Sequence, residues 1–240
     1  MNKKPRAPFS ASAFDASFLA RLVPRYALLS APFCLVLDCA VYWFTKAMQI
    51  LTGWQYHALL VPLDRKTPFV PAFMWVYVGC FLFWIVTFAM TAHTGKARWY
   101  RFFTANALGL LICGAIFVLL PTKIDRPEIT GTGLTAWLCR IIYASDTPVN
   151  LFPSIHCFGS WMSFIGVRGQ KRFPLWVRVF VPVYTLAVCA STLLVKQHFF
   201  LDVVAGIALA ELLWFLVGRF PETTRPAEKA FGAADRYLFG

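Results

Sequence analysis

Two histidines stand in settings that suit chemistry. His198 precedes Asp202 by four residues in the stretch Lys196-Gln-His-Phe-Phe-Leu-Asp202. On a helix that spacing puts both on one face, within hydrogen-bond reach. A carboxylate held against one ring nitrogen fixes the tautomer and leaves the other nitrogen free to attack or to accept a proton. The competing reading is that Asp202 only caps a helix N-terminus. The other histidine closes Asn150-Leu-Phe-Pro-Ser-Ile-His156. Pro153 suits a first helical turn, because its missing N–H has no partner there in any case. Ser154 and His156 then fall in that turn, where unpaired N–H groups and the helix dipole favour an anion. Ser154 offers a hydroxyl donor to a phosphate oxygen and His156 a proton. The alternative is a Ser/Pro helix start with a surface histidine.

The elements that must position these groups are transmembrane. Of 240 residues, 59% are hydrophobic and 14% charged, against about 25% charged in an average soluble domain. The apolar residues lie in long runs, as a bilayer solvent requires. Five segments approach or exceed the ~20 residues needed to span the hydrocarbon: Tyr26–Ile50, Phe69–Thr91, Phe102–Leu120, Leu175–Val195 and Phe199–Val217. A sixth, Phe152–Val167, is short and carries the Pro-Ser-x-His stretch. The expected fold is therefore all-α, a polytopic integral-membrane bundle of six transmembrane helices.

Placing the two termini, the loop from His93 to Arg101 and the loop from Arg168 to Arg178 on one side puts 16 Lys and Arg there and 7 opposite. Positive charge favours the cytoplasmic side, so the N- and C-termini are expected to be cytoplasmic. Both histidine stretches then fall on the non-cytoplasmic side, although neither entered the count. Residues 1–25 read as a basic cytoplasmic segment without a cleavable signal peptide. Residues 26–218 form the transmembrane domain, with a polar loop at 121–151, and 219–240 a cytoplasmic tail. A net charge of +12 follows from this topology, and nucleic acid is not an expected partner. The seven cysteines show no CxxC pair and read as buried hydrophobes. Asp38, mid-way along the first span, is costly there unless paired or protonated. Glu211 falls on the helical face opposite Asp202. Trp54, Trp75, Trp99, Trp137 and Trp176 read as interfacial anchors.

Pro153-Ser-Ile-His156 and Ser191-…-His198-xxx-Asp202 resemble the second and third motifs of the type 2 phosphatidic acid phosphatase superfamily, and Lys123-Ile-Asp-Arg126-Pro127 resembles its first. The resemblance covers about residues 69–217. It implies a lipid phosphatase or phosphotransferase: His198 as nucleophile forming a phosphohistidine, Asp202 orienting it, and His156 protonating the leaving alkoxide. Arg126 and Ser154 would hold the phosphate, with Lys123 and Lys196 as nearby cations. It implies no metal and no other cofactor. Leu119 and Thr192 stand where the superfamily usually has Lys and Arg, and Lys196 is a candidate replacement. That departure, with the Phe-Pro-Ser-x-His form, points towards the branch resembling inositol-phosphorylceramide and sphingomyelin synthases. Asn150, Asp146 and Arg140 are candidate headgroup contacts. The expected partners are the lipid bilayer and a phospholipid, isoprenoid phosphate or sphingolipid phosphate, and the expected location is a bacterial cytoplasmic membrane. A lipid-binding or transport protein that has lost catalysis is the rival reading.

Overall fold

The computed structural model describes residues 8–52 and 55–239; Lys3, Lys4, Arg6 and Trp54 lie outside them. Two short helices, α1 (Ala11–Asp15) and α2 (Phe18–Leu22), precede the long α3 (Ser30–Thr52). There follow α4 (Pro62–Lys66), α5 (Met74–Ala92), α6 (Lys96–Leu119), α7 (Leu134–Ser145), α8 (Ile155–Val167), α9 (Leu175–Leu194), α10 (Phe200–Arg219) and α11 (Arg225–Phe239).

Five of these helices are long and apolar enough to cross a membrane: the segments Arg25–Gln49, Pro71–Ala92, Lys96–Leu119, Leu175–Leu194 and Phe200–Arg219. The sixth expected span, α8, has 13 residues and rises about 20 Å, short of the ~30 Å hydrocarbon. Its place explains how it tolerates that length. It packs against α5, α6, α9 and α10, so neighbouring helices rather than lipid cover most of it.

Small and hydroxylated residues knit the helices together, as they must where hydrophobicity alone does not drive helix association. Trp84 Nε1 donates to Ser160 Oγ at 2.9 Å, and Thr87 meets Ser163 at 2.8 Å. Trp99 Nε1 donates to Ser30 Oγ at 2.8 Å, tying α6 to α3. Trp99 is fully buried in this core and so is no interfacial anchor. Glu211 accepts from Arg168 at 2.6 and 3.0 Å and from Trp161 at 2.8 Å.

Two segments taken from the sequence as irregular are helical. The 121–151 loop contains α7, whose buried Cys139 belongs to a small apolar cluster with Met74, Tyr77 and Val195. The 219–240 tail contains the amphipathic α11, with Phe231 set edge-on against Phe33 and Phe103. Arg25 pairs with Asp235 at 3.0 Å, and the Phe9 amide donates to Leu238 at 2.9 Å. The two ends of the described chain therefore meet at one end of the bundle. The histidine stretches lie at the other.

Candidate active site

Both histidine stretches are helix starts, and the two starts are docked on each other. Ser154 is the N-cap of α8, its hydroxyl accepting from the Cys157 amide at 3.2 Å, a favoured N-cap arrangement. At α10, Asp202 in the first turn reaches back to accept from the Phe199 amide at 2.7 Å. The Ser154 amide donates to the Asp202 carbonyl at 3.0 Å. Gly206 permits this approach: a Cβ there would lie 2.6 Å from the Ser154 carbonyl oxygen and 3.2 Å from the Phe158 nitrogen. Only a residue without a side chain fits so close to a neighbouring backbone.

This docking brings His156 and His198 together, with ring centroids 5.8 Å apart. Nδ1 of His198 lies 3.0 Å from the Leu151 carbonyl oxygen and 3.4 Å from Asp202 Oδ2. A carbonyl accepts only, so Nδ1 carries the proton and Nε2 keeps its lone pair. The two readings of Asp202, helix cap and histidine partner, are thus both realised by one oxygen. Burial opposes charging this imidazole, but the hydrogen bond and negative charge of Asp202 outweigh it. The pKa of His198 stands above the ordinary value. His156 stacks on Tyr77 at 4.4 Å and meets Phe81 and Trp84, each at 5.8 Å. Its buried Nε2 has no hydrogen-bond partner among the described residues.

The two imidazoles open onto one cavity of about 270 Å³, whose wall also carries Arg126, Asp146, Asn150 and Gln197. Arg126 is held at the back of the site. It donates to the carbonyls of Asp146 (2.6 Å) and Tyr143 (3.4 Å) and to Gln197 Oε1, and its guanidinium lies 4.7 Å from the Tyr143 ring centroid. Asp146 Oδ2 sits 3.6 Å from Arg126, and the carboxylate also accepts from Tyr42 at 2.7 Å and Tyr77 at 3.4 Å. The rest of the wall is mainly aromatic and aliphatic, including Trp43, Phe81, Trp84 and Phe117.

Not every sequence candidate joins this wall. Lys196 lines an adjoining cavity that shares Arg126 and His198 with the first, and its Nζ donates to the carbonyls of Thr67 (2.5 Å) and Asp64 (3.2 Å). Those acceptors hold it beside α4. Ser154 is fully buried as a cap and does not line the cavity. Lys123 is exposed, its amide bonded to the His57 carbonyl. Arg140 spends its guanidinium on the carbonyls of Ile129 and Gly131. Arg126 is therefore the one Lys or Arg on the cavity wall among the described residues. Sequence reasoning assigned no role to Gln197, Tyr42 or Tyr77. Gln197 alone carried a signal, lying between Lys196 and His198. The tyrosines gave none, because their partners are distant in the chain.

A family model described as PAP2 superfamily matches residues 131–216. The match includes His156, His198 and Asp202 and begins after Lys123 and Arg126. It supports the likeness of the two histidine motifs to the type 2 phosphatidic acid phosphatase superfamily. With the long apolar helices, it points to a membrane phosphatase-like protein. No curated protein and no solved structure matches the chain.

Proposed function

We propose that the chain is an integral-membrane enzyme that cleaves or transfers a phosphate ester of a membrane lipid. The observation that carries this reading is the pair of imidazoles, 5.8 Å apart, facing one cavity. The cavity is polar at the imidazoles and apolar beyond them, as an amphiphilic substrate requires.

In this reaction Nε2 of His198 attacks phosphorus while the ester P–O bond breaks, and His156 passes its proton to the departing alkoxide. His156, now neutral, takes a proton from water or from a lipid hydroxyl. The oxygen so activated attacks phosphorus and breaks the P–N bond, restoring His198. Arg126, steadied by Asp146 and Gln197, faces the charge that develops on the phosphoryl oxygens. The reaction's site is oriented towards the non-cytoplasmic side by the distribution of Lys and Arg.

One observation favours the headgroup phosphotransferase over a monoester phosphatase. A dianionic monoester calls for more positive charge than one arginine supplies, whereas a phosphodiester carries a single negative charge. With Lys196 held at α4 and Leu119 and Thr192 at the other expected cation positions, the wall suits the diester. The test uses labelled phosphatidic acid and a labelled phosphodiester lipid, each with and without diacylglycerol or ceramide. Acid-labile label on wild-type protein, absent from His198→Ala, is the expected result. Label on both proteins, or on neither with turnover intact, overturns the mechanism. Free phosphate from the monoester, or a water-soluble headgroup phosphate from the diester, identifies the hydrolase, and a new labelled lipid the transferase.

A further inference from the structure

Helix α3 carries a polar stripe of Asp38, Tyr42, Thr45 and Gln49, spaced so that all four share one helical face. Three of them hold the segment that leads into α8. Tyr42 donates to Asp146 at 2.7 Å, Thr45 accepts from Asn150 Nδ2 at 2.9 Å, and Gln49 donates to Asn150 Oδ1 at 2.5 Å. The fourth member breaks the pattern. Asp38 lies on the cavity wall, about 6 Å along the helix from Tyr42, and no described residue bonds or pairs with its carboxyl.

A carboxyl group among Trp43, Phe81, Trp84 and Phe117 is costly unless a donor satisfies it. No described residue supplies one, so an occupant that brings a donor would relieve that cost. An ammonium would bring a second charge into an apolar chamber at a high desolvation cost; a hydroxyl satisfies the carboxyl without one. Asp38 also stands about one helical turn beyond the tyrosine that reaches the Asp146–Arg126 pair. That offset matches the few bonds between a lipid's phosphorus and its backbone hydroxyl.

We propose that Asp38 is a recognition subsite for a free hydroxyl on the backbone of the lipid in the cavity, setting substrate preference at a distance from the histidines. The proposal rests on the cavity being a lipid site, and its test does not depend on turnover.

Full-length protein in detergent micelles is titrated calorimetrically with two ligand pairs. The first is a non-hydrolysable long-chain phosphonate with and without a backbone hydroxyl. The second is the corresponding neutral lipid with and without that hydroxyl. In at least one pair the hydroxylated ligand should bind wild type about tenfold more tightly, the value of a hydrogen bond to a charged or buried acceptor. The phosphonate pair would assign the hydroxyl to the phosphate-bearing lipid, and the neutral pair to a phosphoryl acceptor. Asp38→Leu should erase the preference while leaving the Kd of the deoxy ligand within about twofold. Asp38→Asn, which keeps size and an acceptor oxygen, should keep part of the preference and decides the matter if the Leu variant does not fold. A preference absent from wild type, unchanged in both variants, or unreadable because no ligand binds overturns the assignment. A preference lost on substitution in a protein that turns over no phosphate ester would instead sink the reaction and leave Asp38 as a lipid contact.

Discussion

The carbonyl oxygen of Leu151 and the Nδ1 atom of His198 lie 3.0 Å apart, although the residues belong to different helix starts. A backbone acceptor cannot move away or change charge, so it defines which nitrogen of His198 holds the proton. Asp202, at 3.4 Å from the same nitrogen, adds charge to an orientation the backbone already imposes. The imidazole is thus held twice, and the two restraints have separable consequences.

The first consequence is a titration. Attack needs the neutral imidazole, and His198 holds its proton to higher pH than a free one, chiefly because of Asp202. Followed by NMR, the His198 ring should therefore titrate above the ordinary histidine value of about 6.5. In Asp202→Asn the raising charge is gone while burial still opposes protonation, so the midpoint should move to lower pH. The maximal rate should fall but remain measurable, since Leu151 still orients the ring. A midpoint that does not move in the variant would show that Asp202 does not set it.

Gly206→Ala tests the docking of α8 on α10. The added Cβ meets a carbonyl oxygen at 2.6 Å, backbone against backbone, so the helices must separate. Activity should fall by at least tenfold and the thermal midpoint in detergent should drop. Relief of overpacking of this kind costs about 1–3 kcal/mol.

Arg126→Lys keeps the charge but loses the planar fork that spans Asp146, Tyr143 and Gln197. About a hundredfold loss of kcat is expected, the usual cost of removing one aligned donor from a transition state. KM should change far less. A variant within twofold of wild type would remove Arg126 from the phosphate site.

Ser154→Ala separates a cap from a phosphate ligand. The hydroxyl accepts from Cys157 and is fully buried, so the substitution should cost about 1 kcal/mol of stability with KM nearly unchanged. A large rise in KM without loss of stability would instead return Ser154 to the phosphate.

Sequence spacing revealed the parts of the site that are local. His198 and Asp202 stand four residues apart across the start of α10, and the Pro-Ser-x-His stretch marks a helix start, so both were legible as patterns. The positions of Lys196 and Ser154 were not, because each depends on which groups tertiary packing offers. Carbonyls beside α4 claim the lysine, and the α8 amides claim the serine hydroxyl. Helix α7 was hidden for a different reason. Its 12 residues are too few for a hydropathy signal of a span, and its polar flanks resemble loop. The five long spans were plain because bilayer thickness dictates their length, whereas α8 follows its neighbours and obeys no such rule.

The brevity of α8 sets the depth of the chemistry. At one end it finishes level with α5, where Gly166 abuts Thr91. At the other its histidine stacks on Tyr77, a turn inside the start of α5 at Met74. The reactive nitrogens are consequently recessed between taller helices, like a stair set below the rim of a well. A lipid bound there as proposed would not lie flat on the protein's surface; its polar end would descend while its chains left sideways, past Cys39 and Trp43 on the exposed flank of α3. Reach, as much as affinity, then governs which molecules react.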